Sequence, residues 1–144
     1  MDLVIRVKRL RPEAILPRYS HKGTAGDLAA DLYAVEAHEF APGDVAQVGT
    51  GLAMEFPTGF GALVEDRSGL ASQGLTTLGG VIDTGYRGEV RVILANAGRK
   101  TVMLNQGDRI AQLRIVRRFE AEFQEVESLS ASSRDSGGFG STGT

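Results

Sequence analysis

The residues with the clearest capacity for chemistry lie in the run GGVIDTGYRGEV at residues 79–90. Asp83 offers a carboxylate that can act as a base, Tyr86 an aromatic hydroxyl and Arg87 a guanidinium. The glycines around them favour tight turns and allow the backbone to approach a ligand closely. The run predicts a β-hairpin with a short tip, and by itself it fits an ordinary solvated hairpin as well as a binding site.

A second segment favours the binding site. The chain ends in RDSGGFGSTGT at residues 134–144, which is too polar and too rich in glycine to form a core of its own. Successive backbone N–H groups near glycines can bind an anion, and Arg134 can hold a phosphate through two parallel hydrogen bonds. Phe139 offers a flat face for a base. Although such composition is typical of disordered termini, a plain linker has no need of an aromatic residue.

Three further segments complete an ordered series: DLYA at 31–34, DRSGLAS at 66–72 and GDRIAQL at 107–113. Together with the hairpin and the tail, they resemble the five motifs of the homotrimeric dUTP pyrophosphatases (dUTPases). The five motifs span nearly the whole chain. The resemblance implies an enzyme that hydrolyses dUTP to dUMP and pyrophosphate, in a homotrimer whose active sites are shared between subunits.

The resemblance also implies a role for individual residues. Asp83 would activate the water that attacks the α-phosphorus, and Asp31 would help to hold Mg²⁺ through water. Tyr86 would pack against the deoxyribose, while backbone groups of the hairpin read uracil. The residues that would bind the substrate are Arg67, Ser68, Gly69, Gly80, Val81, Ile82, Tyr86, Gln112, Arg134, Phe139, Gly140, Ser141 and Thr142.

The chain departs from the family pattern at three places. Thr77 stands where many bacterial members have an Asn that reads uracil, so base reading should fall to the hairpin backbone. Asp135 replaces a Gly of the tail motif, and an acid beside the triphosphate is unfavourable unless it points outward. Ala29 and Ala30, rather than a Gly, precede Asp31.

Several of these residues also have simple structural interpretations. Arg67, Ser68 and Gly69 begin a short predicted helix, where Ser68 could be a plain N-cap or part of an anion site. Gln112 could be an outward-facing strand residue. Asp108 and Arg109 are interpreted as structural support, a turn and a surface ion pair.

The elements that must position these residues are predominantly strands. Alternating apolar residues predict strands at 3–8, 51–56, 89–96, 109–116 and 119–126, with turn signals between them, and SGLASQ at 68–73 is the only helical candidate. This spacing predicts an all-β, antiparallel sandwich or jelly roll. We expect one domain at residues 1–127, followed by a flexible arm at 128–144 that closes over the active site.

Composition excludes several classes of function. The 144 residues include no cysteine, so thiolate catalysis and Cys-based metal sites are excluded, and the two histidines are far apart in sequence. A formal net charge of −2 gives no general attraction to nucleic acid or to membranes. The charged N-terminus does not read as a signal peptide, so a cytoplasmic protein is expected.

Two other functions stay open from the sequence. One is a deaminase-type relative acting on dCTP, for which Glu89 would be the nearest proton shuttle. The other is a nucleotide-binding regulatory module without turnover. The presence together of Asp31, Asp83, Arg67, Arg134 and the two aromatic residues argues against the second.

Overall fold

The computed structural model describes residues 2–140, in which antiparallel strands account for nearly all regular structure. The elements in this part of the chain are β1 Arg6–Arg9, β2 Ala30–Tyr33, β3 His38–Phe40, β4 Val45–Glu55, β5 Phe60–Glu65, α1 Ser68–Ala71, β6 Leu75–Leu78, β7 Val81–Ile82, β8 Glu89–Asn96, β9 Val102–Leu104 and β10 Arg109–Arg117. The predicted all-β class is confirmed.

The strands form two four-stranded antiparallel sheets and one two-stranded sheet within the described residues. The orders are β1-β4-β8-β6, β2-β10-β5-β7 and β3-β9. Apolar residues of both large sheets meet in one core; Leu52 and Val92 come from the first sheet, and Leu32 and Leu113 from the second. Side chains alternate across a strand, and in β8 this alternation places Val90, Val92 and Leu94 in the core, whereas the residues between them are not buried.

An irregular segment of β4 holds the start of β8 in place. The register between β4 and β8 shifts between Gly49 and Ala53. The Glu89 carboxylate accepts a hydrogen bond of 3.0 Å from the Gly51 N–H and pairs with Arg91 at 2.9 Å. The fully buried Thr50 donates its hydroxyl to the Val90 carbonyl at 2.6 Å. The start of β8 is therefore tied to β4 by side chains as well as by the strand ladder.

The predicted strand at 119–126 is wrong for the described chain. After the Arg118 N–H bonds to the Gly59 carbonyl at 2.7 Å, no backbone group of residues 119–131 bonds to another described backbone group. The Phe119 and Phe123 side chains are 83% and 94% exposed. The alternating pattern is present, but a strand also needs a neighbouring strand, and this chain supplies none there.

Smaller differences concern element ends. Strand β1 begins at Arg6 rather than at residue 3, β4 begins well before residue 51, and α1 ends at Ala71. No helix in residues 2–140 is long and apolar enough to cross a membrane.

Candidate active site

The two apolar arms of the predicted hairpin at 79–90 are present as strands, but they do not pair with each other. Strand β7 is the edge strand of the sheet that contains β5, whereas β8 pairs with β4 and β6 of the other sheet. The segment therefore crosses between the two sheets, and hairpin is used below only as a label for residues 79–90. Strand β7 pairs with β5, with Ile82 opposite Ala62, and the Val64 N–H donates to the Gly80 carbonyl at 2.7 Å. Gly80 has a φ of +111°, and a Cβ there would lie 2.5 Å from the Val64 carbonyl oxygen. Only glycine permits this approach, which seats β7 tightly on β5 and leaves its other edge open.

Asp83 and Tyr86 form the tip of this hairpin. The Tyr86 N–H donates to the Asp83 carbonyl at 3.1 Å, and the Tyr86 hydroxyl donates to the Glu89 carbonyl at 2.8 Å. A Cβ on Gly88 would lie 2.6 Å from the Tyr86 hydroxyl oxygen, so the ring lies directly over a glycine. The structure therefore fixes both the backbone of the tip and the direction of the Tyr86 ring.

The Asp83 carboxylate is exposed and borders two cavities. One cavity, of about 380 Å³, lies between the hairpin and β5 and includes Arg118 in its lining. The other, of about 200 Å³, lies between the hairpin and the β4–β8 sheet and includes Tyr86 and Arg91. Within residues 2–140 the Asp83 carboxylate forms no hydrogen bond or ion pair, so it is available to a ligand or a water.

A second group of predicted residues gathers around Asp31. The buried Asp31 carboxylate lies 3.5 Å from Nε of Arg67 and 3.8 Å from Nη1 of Arg109, and it accepts a hydrogen bond of 3.2 Å from the Ser20 hydroxyl. Arg109 thus faces Asp31 rather than forming a plain surface pair. Because two guanidinium groups face one carboxylate, this part of the site retains positive charge for an anionic ligand.

Asp31 by itself is not a complete metal site. Within the described residues, no three His, Cys, Asp or Glu side chains are grouped closely enough to hold a metal ion. Mg²⁺ commonly keeps several waters and binds through one or two carboxylates together with substrate phosphates. One carboxylate beside two cations fits that kind of binding, and it does not fit a cage made by the protein alone.

The loop that carries Arg67 is anchored to two strands, β10 and β6. The Gln112 amide donates to the Asp66 carbonyl at 2.8 Å. The Asp66 carboxylate accepts hydrogen bonds from the Thr76 hydroxyl at 2.7 Å, and from the Thr77 N–H and hydroxyl, each at 2.6 Å. Burial raises the pKa of Asp66, but the hydrogen bonds from Thr77 and Thr76 outweigh it, so the pKa lies below its ordinary value of 3.8.

These contacts alter the interpretation of two residues. Gln112 holds the loop in place, and its predicted phosphate contact stays a prediction. Thr77, at the position that reads uracil in many bacterial members, donates its hydroxyl to Asp66. Sequence reasoning missed Asp66 because its partners lie ten and eleven residues later, on β6. The only signal was an acid placed directly before Arg67.

Ser68 is not the N-cap residue of the short helix α1. Arg67 is the N-cap residue, with an extended backbone at φ −91° and ψ 132°, and no side chain caps the helix. Ser68 and Gly69 are exposed in the first turn, and the Ser72 hydroxyl donates to the Gly69 carbonyl at 2.9 Å. The uncapped N–H groups beside Arg67 are suited to an anion. Asp108 has the expected turn role, because its carboxylate accepts the Asn105 N–H at 2.8 Å.

The tail has more local order than its composition suggests. The Asp135 carboxylate accepts the Ser132 N–H at 3.0 Å, and the Asp135 N–H donates to the Ser132 hydroxyl at 2.9 Å. The Gly137 N–H closes a turn on the Arg134 carbonyl at 3.0 Å. Asp135 is thus directed back at its own turn. The Phe139 ring is fully exposed, and Ser141 and Thr142 lie outside the described residues.

The predicted residues therefore form three groups. One is the hairpin with Gly80, Val81, Ile82, Asp83 and Tyr86, one is the cluster of Asp31, Arg67 and Arg109, which is proposed below as the anion-binding group, and one is the tail. Among described side chains, no hydrogen bond or ion pair joins Asp83 to Arg67 or Asp31. A model of the dUTPase family matches residues 13–143 of this chain.

The chain belongs to the dUTPase family. Relatives named deoxyuridine 5'-triphosphate nucleotidohydrolase support this assignment. The Solibacter usitatus relative is 51% identical over 142 residues, which cover 96% of this chain and 95% of that protein. The Thermobifida fusca relative is 50% identical over 143 residues, covering 96% of this chain and 78% of that protein.

Solved dUTPase structures share the fold. The Staphylococcus bacteriophage 80alpha dUTPase with dUpNHpp superposes with a TM-score of 0.86 at 28% identity, covering 98% of this chain and 99% of the phage chain. A mutant dUTPase from phage phi11 of S. aureus has a TM-score of 0.79 at 26% identity over 89% of this chain and 99% of that chain. That phi11 structure shows the coordination of a structural Mg(II) ion.

Proposed function

We propose that this protein hydrolyses dUTP to dUMP and pyrophosphate with Asp83 as the catalytic base. The observation that carries the proposal is the hairpin, in which an unpaired Asp83 carboxylate stands beside a fixed Tyr86 ring at the open edge of β7. Membership of the dUTPase family supplies the substrate class. The anion-binding group around Arg67 supplies cationic contacts for phosphate.

In the proposed reaction, Asp83 accepts a proton from a water molecule as the water oxygen attacks the α-phosphorus. The bond from the α-phosphorus to the oxygen that bridges to the β-phosphorus breaks, and pyrophosphate leaves with that oxygen. A positioned base of this kind contributes about 10²–10⁴ in rate. The remaining acceleration comes from neutralising charge on the triphosphate.

The open edge of β7 suits recognition of a base. In an antiparallel pair, successive residues of one strand direct their N–H and C=O groups to opposite sides. Because the Gly80 carbonyl faces β5, the backbone groups of Val81 face the open edge, where they can pair with uracil. Cytosine presents a donor where uracil presents an acceptor, and such a mismatch is rejected by about 10⁴ or more.

Sugar selectivity is assigned to Tyr86. Its hydroxyl is held by the Glu89 carbonyl, so its ring presents a fixed apolar face. A deoxyribose has no 2′-hydroxyl and can lie against such a face without leaving a polar group unpaired, whereas a ribose cannot.

The triphosphate is assigned to Arg67, Ser68 and Gly69, and to the tail with Arg134 and Gly140. Phe139 would stack on the base when the tail closes, and Ser141 and Thr142 would add hydroxyl groups. Asp31 would hold Mg²⁺ through water together with phosphate oxygens, and the ion would neutralise negative charge there.

A homotrimer follows from the same proposal. The described residues after β10 carry exposed Phe119, Phe123 and Leu129 side chains, and assembly would cover these residues. Among the described residues no hydrogen bond or ion pair joins the Asp83 side chain to Asp31 or Arg67, and this arrangement suits a site completed by neighbouring subunits. A cytoplasmic location stays a prediction of the sequence.

The deaminase alternative loses its candidate residue. The Glu89 carboxylate accepts the Gly51 N–H and pairs with Arg91, and its carbonyl accepts the Tyr86 hydroxyl. Glu89 therefore holds the base of the hairpin and is not free beside a nucleobase.

A pyrophosphate-release assay with dUTP, dCTP, dTTP and UTP tests the proposal. Rapid release from dUTP alone supports it. Ammonia release from dCTP would favour the deaminase, and tight dUTP binding without turnover would favour the regulatory module.

A further inference from the structure

The strongest feature outside the assigned site is the Asp66 carboxylate, which no step of the proposed reaction uses. It accepts three hydrogen bonds of 2.6–2.7 Å, all from Thr76 and Thr77 on β6. Strand β6 belongs to the β1-β4-β8-β6 sheet, whereas Asp66 directly follows β5 of the opposite sheet. The carboxylate therefore joins the two large sheets at one point.

Asp66 immediately precedes Arg67, the cation of the anion-binding group. The Asp66 carbonyl is held by the Gln112 amide at 2.8 Å, and the Arg67 side chain faces Asp31 at 3.5 Å. With its carboxylate bound to β6 as well, the residue before Arg67 is restrained at both its backbone and its side chain. The loop thus enters α1 along a fixed path.

We propose that Asp66 is a positioning residue that sets Arg67 against the triphosphate. The proposal rests on the proposed function and deepens it. Strand β6 continues through Gly79 and Gly80 into the base-reading hairpin, so the Asp66–Thr77 contact also fixes the distance between the phosphate-binding loop and that hairpin within one chain.

A carboxylate suits this place better than other side chains. Two oxygens that only accept can satisfy three donors, whereas an amide has one accepting oxygen and presents N–H groups to the third. Bonds to an ionised acceptor are also stronger than bonds between neutral groups. Thr77, whose side chain is engaged here, then belongs to this anchor and is not a reader of uracil.

The test uses the full-length protein with Asp66→Ala, Thr77→Val and Thr77→Ser. Glu65→Gln is the matched control, because Glu65 is the preceding acid, is exposed, and pairs with Arg114 at 2.6 Å on the outer side of β5. Pyrophosphate release gives kcat and KM for dUTP. Competition by dUMP gives an affinity that depends less on the outer phosphate contacts, and thermal unfolding and light scattering report folding and assembly.

We expect Asp66→Ala to lower kcat for dUTP by roughly tenfold or more, because a small displacement of a charge-stabilising group is costly in the transition state. Thr77→Val should have a smaller effect in the same direction, and Thr77→Ser, which keeps the hydroxyl, should restore activity. For every variant the affinity for dUMP should stay within about threefold, and Glu65→Gln should behave as the parent.

Two results would overturn the proposal. One is equal turnover of Asp66→Ala, Thr77→Val and Glu65→Gln. The other is a loss of dUTP turnover that is matched by an equal loss of dUMP binding, since a merely structural role lowers the amount of competent protein for both ligands. Failure of the proposed function is a separate result, because it is read from the parent protein alone as absence of turnover with dUTP.

Discussion

The hydroxyl of Tyr86 donates a hydrogen bond of 2.8 Å to the carbonyl oxygen of Glu89, three residues later in the same hairpin. The Glu89 carboxylate in turn holds the Gly51 N–H in the irregular part of β4. The aromatic ring at the tip is thus connected to the sheet beneath it. A contact of this kind fixes the ring before a nucleotide arrives, so that less ordering is required on binding.

Tyr86 sets the preference for deoxyribose if the ring is the surface on which the sugar packs. Tyr86→Ala should lower the dUTP-to-UTP ratio of kcat/KM by roughly tenfold or more, because space opens for a 2′-hydroxyl. Tyr86→Phe keeps the ring and loses only the bond to Glu89, so it should retain most of the preference. Both ratios come from pyrophosphate release at several substrate concentrations. An unchanged ratio in Tyr86→Ala would place sugar discrimination elsewhere.

Asp83→Asn should abolish hydrolysis and leave binding largely intact. The substitution keeps the size of the side chain and removes the base, so kcat should fall by about 10²–10⁴ while the dissociation constant for dUTP changes little. Stopped-flow turnover and calorimetry measure the two quantities. Asp44→Asn is the control, because that carboxylate holds only its own turn through the Ala41 N–H at 2.8 Å. Turnover of Asp83→Asn close to that of the control would remove Asp83 from the base role.

Removal of the tail after Ser133 should lower kcat for dUTP far more than it weakens dUMP binding. Ordering a glycine-rich segment costs about 1–2 kcal/mol per residue, which only contacts with a complete triphosphate and a stacked base can offset. Phe139→Ala should cause part of the same loss, because stacking on a base contributes roughly 1–3 kcal/mol. Pyrophosphate release and dUMP competition are measured on the truncated and the parent protein, and light scattering checks that assembly is unaffected. A truncated protein with parental turnover would show that the tail is not a lid.

The protein should be a homotrimer, and the segment with Phe119 and Phe123 should contribute to the assembly. Phe123→Glu places a charge on a side chain that is 94% exposed in the single chain, so a monomer would tolerate it while a covering neighbour would not. Sedimentation and light scattering should show the parent as a trimer and Phe123→Glu as partly dissociated. Glu122→Gln, at the adjacent position, is the control. An active monomeric parent would contradict the prediction.

The pH dependence of stability should reveal the Asp66 anchor. Because the native pKa of Asp66 lies below its ordinary value, its ionised form stabilises the folded state. This contribution is complete above the unfolded-state pKa near 3.8 and is lost as the pH falls through the lower native value. Asp66→Asn should therefore be less stable than the parent at neutral pH, and the difference should shrink below about pH 4. Denaturant unfolding at one protein concentration measures the free energy of unfolding of both proteins at each pH. A difference between them that does not change with pH would show that the ionised Asp66 carboxylate is not its cause.

Much of the molecule was predictable because its determinants are local. Alternation of apolar residues located β8 at 89–96 without error and β10 within one residue, since these strands lie against the core and need an apolar face. The turn between β7 and β8 was predictable from its glycines and its flanking apolar residues, but their pairing was not, because β7 joins β5 and β8 joins the other sheet. The motif series also pointed to the family, which the comparisons confirm.

Contacts between segments distant in sequence were decided only by the tertiary structure. The alternating residues 119–126 carry a strand pattern, but pairing requires a neighbouring strand, and residues 2–140 place none beside them. The sequence assigned no role to Asp66, and only folding brings β6 beside it. Thr77 was expected to leave uracil reading to the backbone, and the structure shows that its hydroxyl bonds to Asp66 instead. The sequence by itself determined the family and the residues proposed to carry the chemistry. The packing of two sheets determined which of them are free to act and which are engaged in holding the others, because hydrogen bonding depends on distances that spacing along the chain does not contain.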